Sequence, residues 1–170
     1  MNKEALLDKN KKFKNSLSKE KENLLKELVK GQHPSVCVLA CSDSRVIPEE
    51  IFSSSFGDIF TIRSAGNVVN AGELGSLEYA IEHLHINLVV VLGHTHCGAV
   101  HASIHNEKGE YLDPILSKIK ENILDEKDEV KASKKNAIKV KEYIEKKFPH
   151  PYVEVVAMLY DIEDGEVNIL

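Results

Sequence analysis

The apolar positions of this chain change period along its length, and the change predicts its secondary structure. Residues 3–30 carry apolar side chains at helical spacing with neither proline nor glycine, so they predict an N-terminal helical arm. Gly31 and Pro34 follow, as is typical where a helix ends. Short apolar runs predict buried strands at residues 36–40, 59–62, 87–92 and 152–160. Asp164-Gly165 predicts a hairpin turn into residues 167–170.

Segments of helical pattern separate these strands. Helices are predicted at residues 48–52, 70–84 and 97–105, and two more within 112–148, broken near 131–135. Alternating strands and helices predict an α/β fold, with a mainly parallel sheet flanked by helices, the N-terminal arm and a C-terminal β-hairpin. We interpret residues 1–170 as a single domain that includes the arm, residues 1–30. Ligand sites in such folds lie beyond the carboxyl ends of the strands.

Composition narrows the class of partner. The chain has 170 residues and a formal net charge of -5, which argues against nucleic acid, because phosphate binding favours a basic face. No apolar run approaches the roughly 20 residues of a membrane span. The first residues lack an apolar stretch followed by a small-residue cleavage site, so we predict a cytoplasmic protein.

Three residues predict a metal site. Cys41 follows the first predicted strand, and His94 and Cys97 follow the third. Two thiolates and one imidazole suit zinc, and three protein ligands leave a fourth position open, as in catalytic sites. A zinc ion held in this way lowers the pKa of bound water to about 7, which provides a hydroxide nucleophile. His96 competes with His94 as the ligand.

The third cysteine is excluded from this site. Cys37 would lie roughly 13 Å from Cys41 along an extended strand, too far for both to bind one zinc ion. We interpret Cys37 as a packed core thiol.

Asp43 and Arg45 follow the first ligand closely. A bidentate pair with Arg45 would leave Asp43 able to accept a hydrogen bond and orient a nucleophile, whereas an unpaired Asp43 could take the fourth metal position. Arg63 is a candidate partner for a carboxylate across a subunit interface.

These motifs resemble those of the β-class carbonic anhydrases, and of their plant-type branch in particular. Cys41-Ser42-Asp43-Ser44-Arg45 matches the family's Cys-x-Asp-Ser-Arg, and His94-Thr95-His96-Cys97-Gly98 matches its His-x-x-Cys-Gly. Weaker similarities at residues 62–67, 76–80 and 159–165 extend the resemblance over residues 31–170. Ser64 stands where the family often has Asn, and the chain has no Trp.

The resemblance implies reversible hydration of carbon dioxide to bicarbonate and a proton, through hydroxide on one zinc ion per chain. It also implies a homodimer or a higher homo-oligomer, with the N-terminal helices embracing the partner. Asp43 and Arg45 are then the catalytic residues. The residues that bind CO2 or bicarbonate, some of them across the dimer interface, are Gln32, Phe60, Tyr79 and Gly98.

Two other functions stay open at this point. The same zinc site could hydrolyse carbonyl sulfide or carbon disulfide, or it could belong to a non-catalytic zinc protein or bicarbonate sensor. The Asp43–Arg45 pair counts against a purely structural site, which gains little from it. We favour an open site in which Asp43 binds Arg45 rather than zinc.

Overall fold

The computed structural model describes residues 1–170, which form two compact units, Met1–His33 and Pro34–Leu170. The first unit contains helices α1 (Lys3–Ser16) and α2 (Lys19–Leu28). Asn2 caps α1 by accepting a hydrogen bond from the Ala5 amide, and Ser18 caps α2 in the same way with Lys21. The predicted helical arm is confirmed, with a break between the two helices. Neither helix buries a residue.

The second unit is built on a five-stranded sheet in the order β2-β1-β3-β4-β5. The strands are β1 (Val36–Cys41), β2 (Ile59–Ser64), β3 (Leu88–His94), β4 (Glu154–Tyr160) and β5 (Val167–Ile169). The first four are parallel, and β5 pairs with β4 in the antiparallel direction after the predicted hairpin turn. The predicted α/β fold is therefore confirmed. Because β1 and β3 are parallel neighbours, their carboxyl ends meet at one edge of the sheet.

Helices cover both faces of the sheet. They are α3 (Pro48–Ile51), α4 (Ala71–Glu78), α5 (Gly98–Ile104), α6 (Asp113–Ile123) and α7 (Glu129–Lys147). Alternate residues of β1 divide between the faces: Cys37 and Leu39 pack in the same cluster as α4 and α7, whereas Val38 and Ala40 pack in the cluster that includes α3. A third cluster, around Cys41 and Cys97, is closed by residues of α5 and α6. No helix is long and apolar enough to cross a membrane.

Two predicted helices differ from the observed ones. The break in residues 112–148 was expected near 131–135, but it lies between Ile123 and Glu129. Leu124 adopts a positive φ of 56° and Asp128 caps α7 through the Lys131 amide, so the chain turns earlier than its pattern indicates. The helix predicted at 70–84 begins after Asn70, but α4 passes into a π-helical turn at Tyr79–His83.

Candidate metal centre

The three predicted ligands converge at the carboxyl edge of the sheet. Cys41 is the last residue of β1, His94 is the last of β3, and Cys97 immediately precedes α5. Their ligand atoms all lie within 4.8 Å of one another, and all three residues are buried. The two Sγ atoms are 4.0 Å apart. A tetrahedral zinc ion with Zn–S bonds of about 2.3 Å would hold two sulfurs roughly 3.8 Å apart, so the observed spacing fits this metal.

His94 presents a nitrogen that nothing in the protein satisfies. Its Nδ1 lies 2.8 Å from the Thr95 carbonyl oxygen, which can only accept, so Nδ1 carries the proton. The other nitrogen, Nε2, is buried and has no hydrogen-bond partner. An unpaired buried acceptor is costly, whereas a neutral imidazole with Nδ1 bonded to a carbonyl is the usual form of a histidine metal ligand.

The competing residue, His96, points elsewhere. Its ring is exposed, and Nε2 lies 2.8 Å from Glu163 Oε1 on the β4–β5 hairpin. The structure therefore selects His94 as the third donor of the cluster.

The contact between the two thiols shifts their pKa values in opposite directions. The hydrogen bond between them is the main reason that the pKa of Cys41 is lowered, and donation from the Gly66 amide at 3.2 Å helps. The same hydrogen bond, followed by burial, raises the pKa of Cys97. Cys41 therefore loses its proton more readily than Cys97 does. A divalent cation would favour loss of the second proton, since only the thiolate form of cysteine binds metals.

Cys37 lies outside the cluster. It is fully buried in the core, and burial raises its pKa to about 12. The interpretation of Cys37 as a packed core thiol agrees with this environment.

Asp43 and Arg45 form the predicted bidentate pair. Arg45 Nε donates to Asp43 Oδ1 at 2.9 Å and NH2 donates to Oδ2 at 2.8 Å, while the Arg45 amide adds a third bond to Oδ1 at 3.0 Å. These bonds, led by those of the guanidinium group, hold the pKa of Asp43 far below its usual range. Arg45 NH2 also donates to the His96 carbonyl oxygen at 3.0 Å, so it links the two ligand loops.

The Arg63 side chain supports the first of these loops by donating to its backbone carbonyl groups. Its Nε donates to the Cys41 carbonyl oxygen at 3.1 Å, and its NH2 donates to that of Asp43 at 2.7 Å. The predicted partner of Arg63 was a carboxylate across a subunit interface, whereas its partners within the chain are these two backbone carbonyls. The feature that indicates this role is the position of Arg63 near the carboxyl end of β2, where it lies beside Ala40 in the sheet register.

Thr95 and Asp161 hold the second ligand loop on the hairpin, a role that sequence reasoning missed. The Thr95 hydroxyl donates to Asp161 Oδ1 at 3.1 Å and accepts from the Ile162 amide at 3.0 Å. The only signal in the sequence was the similarity at residues 159–165.

Of the predicted substrate-binding residues in the second unit, Gly98 adjoins the cluster, whereas Phe60 and Tyr79 lie away from it within one chain. Phe60 lies beside Cys37 in the sheet register, roughly 13 Å from the carboxyl end of β2. Its ring contacts that of Tyr79, with centroids 6.1 Å apart. Gly98 directly follows the candidate ligand Cys97, and a Cβ added to it would meet no atom within 4 Å outside its own helix and chain neighbours. Gln32 belongs to the other compact unit, Met1–His33.

The fold and the site together define an α/β protein with a Cys–His–Cys metal centre at the carboxyl ends of two parallel strands. A family model described as carbonic anhydrase matches residues 36–167. The chain belongs to the carbonic anhydrase family, and its structural neighbours place it in the β class.

Known relatives and structures agree with this assignment. The chain is 46% identical over 94 residues to a carbonic anhydrase of Synechococcus elongatus; the match covers 52% of this chain and 35% of that protein. It therefore spans little more than a third of that relative's length. The crystal structure of the β-carbonic anhydrase CafA of Aspergillus fumigatus superposes with a TM-score of 0.83 at 29% identity, covering 98% of this chain and 89% of CafA. One of two tetrameric β-carbonic anhydrases of Sordaria macrospora gives 0.86 at 23% identity, covering 98% and 95%.

Proposed function

We propose that this protein is a zinc enzyme that catalyses the reversible hydration of carbon dioxide to bicarbonate and a proton. The observation that carries the proposal is the buried, unpaired Nε2 of His94 within a Cys41–His94–Cys97 cluster, in a chain of the carbonic anhydrase family. One zinc ion per chain, held by these three residues, would supply Lewis-acid activation of water near neutral pH.

The residues beside the cluster have separate tasks. The Thr95 carbonyl fixes the His94 ring so that Nε2 faces the cluster. Asp43 stays ionised near neutral pH because Arg45 lowers its pKa, so it is too weak a base to carry protons. Its role is instead that of a fixed acceptor, which binds and orients a proton-bearing oxygen at the reaction site.

The site is proposed to be open, with Asp43 on Arg45 and the fourth metal position left for substrate. The two guanidinium bonds at 2.8 and 2.9 Å support this arrangement, since moving Asp43 onto the metal would break both of them. A crystal structure of the zinc-loaded protein near pH 7 with an Asp43 oxygen at about 2.0 Å from zinc would overturn it.

Substrate binding is proposed to require a second subunit, in a homodimer or a larger homo-oligomer. Phe60 and Tyr79 contact each other away from the cluster of their own chain, and Tyr79 is 45% exposed, which favours a role in the partner's site. Gln32 is proposed to join them, and Gly98 to leave room for substrate beside Cys97. Sedimentation equilibrium tests this arrangement, because an active monomer at assay concentration would contradict it.

The test of the proposed function is stopped-flow CO2 hydration with a pH indicator, on protein whose zinc content has been measured. We expect rapid hydration with about one zinc ion per chain, lost on chelation and restored by zinc. Zinc-loaded protein that leaves the hydration rate at the uncatalysed level between pH 7 and 9 would refute the proposal. A carbonyl sulfide hydrolysis assay would then decide between another hydrolase and a non-catalytic zinc protein.

A variant separates the proposed catalytic role of Asp43 from metal binding. Asp43→Ala should reduce turnover about a hundredfold, the effect expected when a group that orients the reacting oxygen is lost, while zinc stays bound. Asp125→Ala, which removes an exposed carboxylate after α6, is the control. Full turnover in Asp43→Ala would contradict the role proposed for this carboxylate.

A further inference from the structure

Two asparagine side chains connect the helices to the loop around Cys41. Asn136 on α7 is 0% exposed, and its Nδ2 donates to the Gly66 carbonyl oxygen at 2.9 Å. Asn122 on α6 is half-buried, and its Nδ2 donates to Asn136 Oδ1 at 2.9 Å. A buried amide gains little net stability over an apolar residue of the same shape, so packing alone does not explain Asn136.

The orientation of this chain of hydrogen bonds follows from chemistry. The Gly66 carbonyl oxygen can only accept, so the nitrogen of Asn136 must face it and the oxygen must face away. That oxygen in turn requires a donor, which is the nitrogen of Asn122. Both amides therefore have one consistent orientation, and each depends on the other.

Gly66 carries the effect to the metal ligand. Its amide N–H donates to Cys41 Sγ at 3.2 Å, while its carbonyl oxygen is held by Asn136. The residue has a φ of +67°, and an added Cβ would lie 2.6 Å from Ile119 Cδ1 and 3.2 Å from Ala99 Cβ. The loop is therefore tightly packed, and Asn136 fixes one side of Gly66 while the other side faces the sulfur.

We propose that Asn136, supported by Asn122, is a positioning residue for the metal centre. It holds the Gly66 amide in place to donate to the Cys41 thiolate. Two thiolates give a metal much negative charge and weaken it as a Lewis acid, and a hydrogen bond to one sulfur withdraws part of that charge. The inference rests on metal binding in the proposed function, but not on turnover of carbon dioxide.

The experiment uses Co²⁺ as a spectroscopic probe and Zn²⁺ for affinity, with the full chain. Wild type, Asn136→Leu and Ser133→Ala are titrated with Co²⁺, and Zn²⁺ affinity is measured by competition with a chromophoric chelator. Asn136→Leu keeps a similar size but removes the amide. Ser133→Ala is the matched control, because Ser133 lies one turn earlier on α7, is equally buried, and its hydroxyl has no hydrogen-bond partner.

Asn136→Leu should move the thiolate-to-cobalt absorption band to lower energy, because the sulfur regains charge. It should also raise the Kd for Zn²⁺ roughly tenfold, at the lower end of the effect of residues that support metal ligands. Ser133→Ala should change neither property. Asn122→Ala, which alters a half-exposed position, should shift both in the same direction by a smaller amount.

The outcomes separate the two proposals. A wild type without thiolate-to-cobalt absorption would overturn the metal centre and this inference with it. A folded Asn136→Leu with the wild-type band and Kd would overturn only the positioning role. If Asn136→Leu does not fold, Asn122→Ala decides: an unchanged band and Kd overturn the role, and the expected shift supports it.

Discussion

Gly66→Ala tests how tightly the loop beside Cys41 is constrained. Two costs follow from the structure. A φ of +67° places a Cβ in the left-handed region, which costs roughly 1–2 kcal/mol. The new methyl would also lie 2.6 Å from Ile119 Cδ1, well inside normal carbon contact distance, and overpacking of this kind costs roughly 1–3 kcal/mol. We therefore expect the free energy of unfolding to fall by roughly 2–5 kcal/mol.

Ile119→Val separates the two costs, because it removes the Cδ1 atom and leaves the rest of this fully buried side chain. Alone, it should cost roughly 0.5–1.5 kcal/mol. In its presence Gly66→Ala should lose most of the steric part of its penalty, since the approach to Ala99 Cβ at 3.2 Å remains, and keep the backbone part, roughly 1–2 kcal/mol. The double-mutant cycle should then give a favourable coupling of roughly 1–3 kcal/mol between the two positions.

Urea unfolding followed by far-ultraviolet circular dichroism measures all four proteins. Gly75→Ala in α4 is the matched control, since nothing lies within 4 Å of its added Cβ, and it should be neutral or stabilising by up to about 1 kcal/mol. Additive effects of Gly66→Ala and Ile119→Val would refute the steric argument. An unaffected Gly66→Ala would refute both parts of it.

Three further changes probe the core, the ion pair and the metal. Burial raises the pKa of the Cys37 thiol from 9.0 to about 12, so the stability that comes from keeping this thiol neutral is complete below pH 9 and is lost as pH rises. Between pH 8 and pH 10, the free energy of unfolding should fall by about 1.4 kcal/mol more in wild type than in Cys37→Ala. Equal losses would contradict this. Arg45→Lys keeps the positive charge but not the bidentate pair with Asp43, so kcat/KM for CO2 hydration should fall at least roughly tenfold while zinc stays bound. Wild-type kinetics in this variant would show that the charge alone suffices. Chelation of zinc should lower Tm reversibly, because His94 Nε2 loses its partner. The free energy of unfolding should be about 4 kcal/mol higher with zinc at 1,000 times its Kd than without zinc, and an unchanged Tm would argue against zinc binding at His94.

The clustering of Cys41, His94 and Cys97 was predictable because two signals in the sequence agree. Cys41 and His94 each end an apolar run, and the parallel topology brings the ends of neighbouring strands together. The family resemblance then selected His94 over His96, and the geometry agrees with that choice. The Asp43–Arg45 pair could be predicted equally well from the sequence, because both residues lie in the same short loop.

The residues that hold the ligand loops in place could not be predicted from the sequence, because the atoms that they contact are distant in sequence or belong to the backbone. Asn136 lies in a lysine-rich segment whose charges indicate a solvated helix, yet its own face of α7 is buried. That face is built mainly from small or polar residues, so the usual apolar stripe is weak: Ala132, Ser133, Asn136, Ala137, Val140 and Ile144. The break before α7 was predicted at the wrong residues, because Leu124 adopts the positive φ that usually indicates glycine or asparagine.

The ligand loops can be held in place by the protein itself or by a bound metal, and this difference decides how much metal binding would contribute to folding. Arg45 joins Asp43 to the His96 carbonyl and so ties the two ligand loops together, and Arg63 joins the carbonyls of Cys41 and Asp43 within the first loop. The same loops sit on a sheet with its own apolar core. In small zinc domains the metal creates the fold, whereas here the protein itself holds the three candidate ligand atoms within 4.8 Å of one another. A metal ion bound here would therefore have little folding to drive, and its binding free energy would remain available as affinity, which is why chelation should lower stability without unfolding the chain.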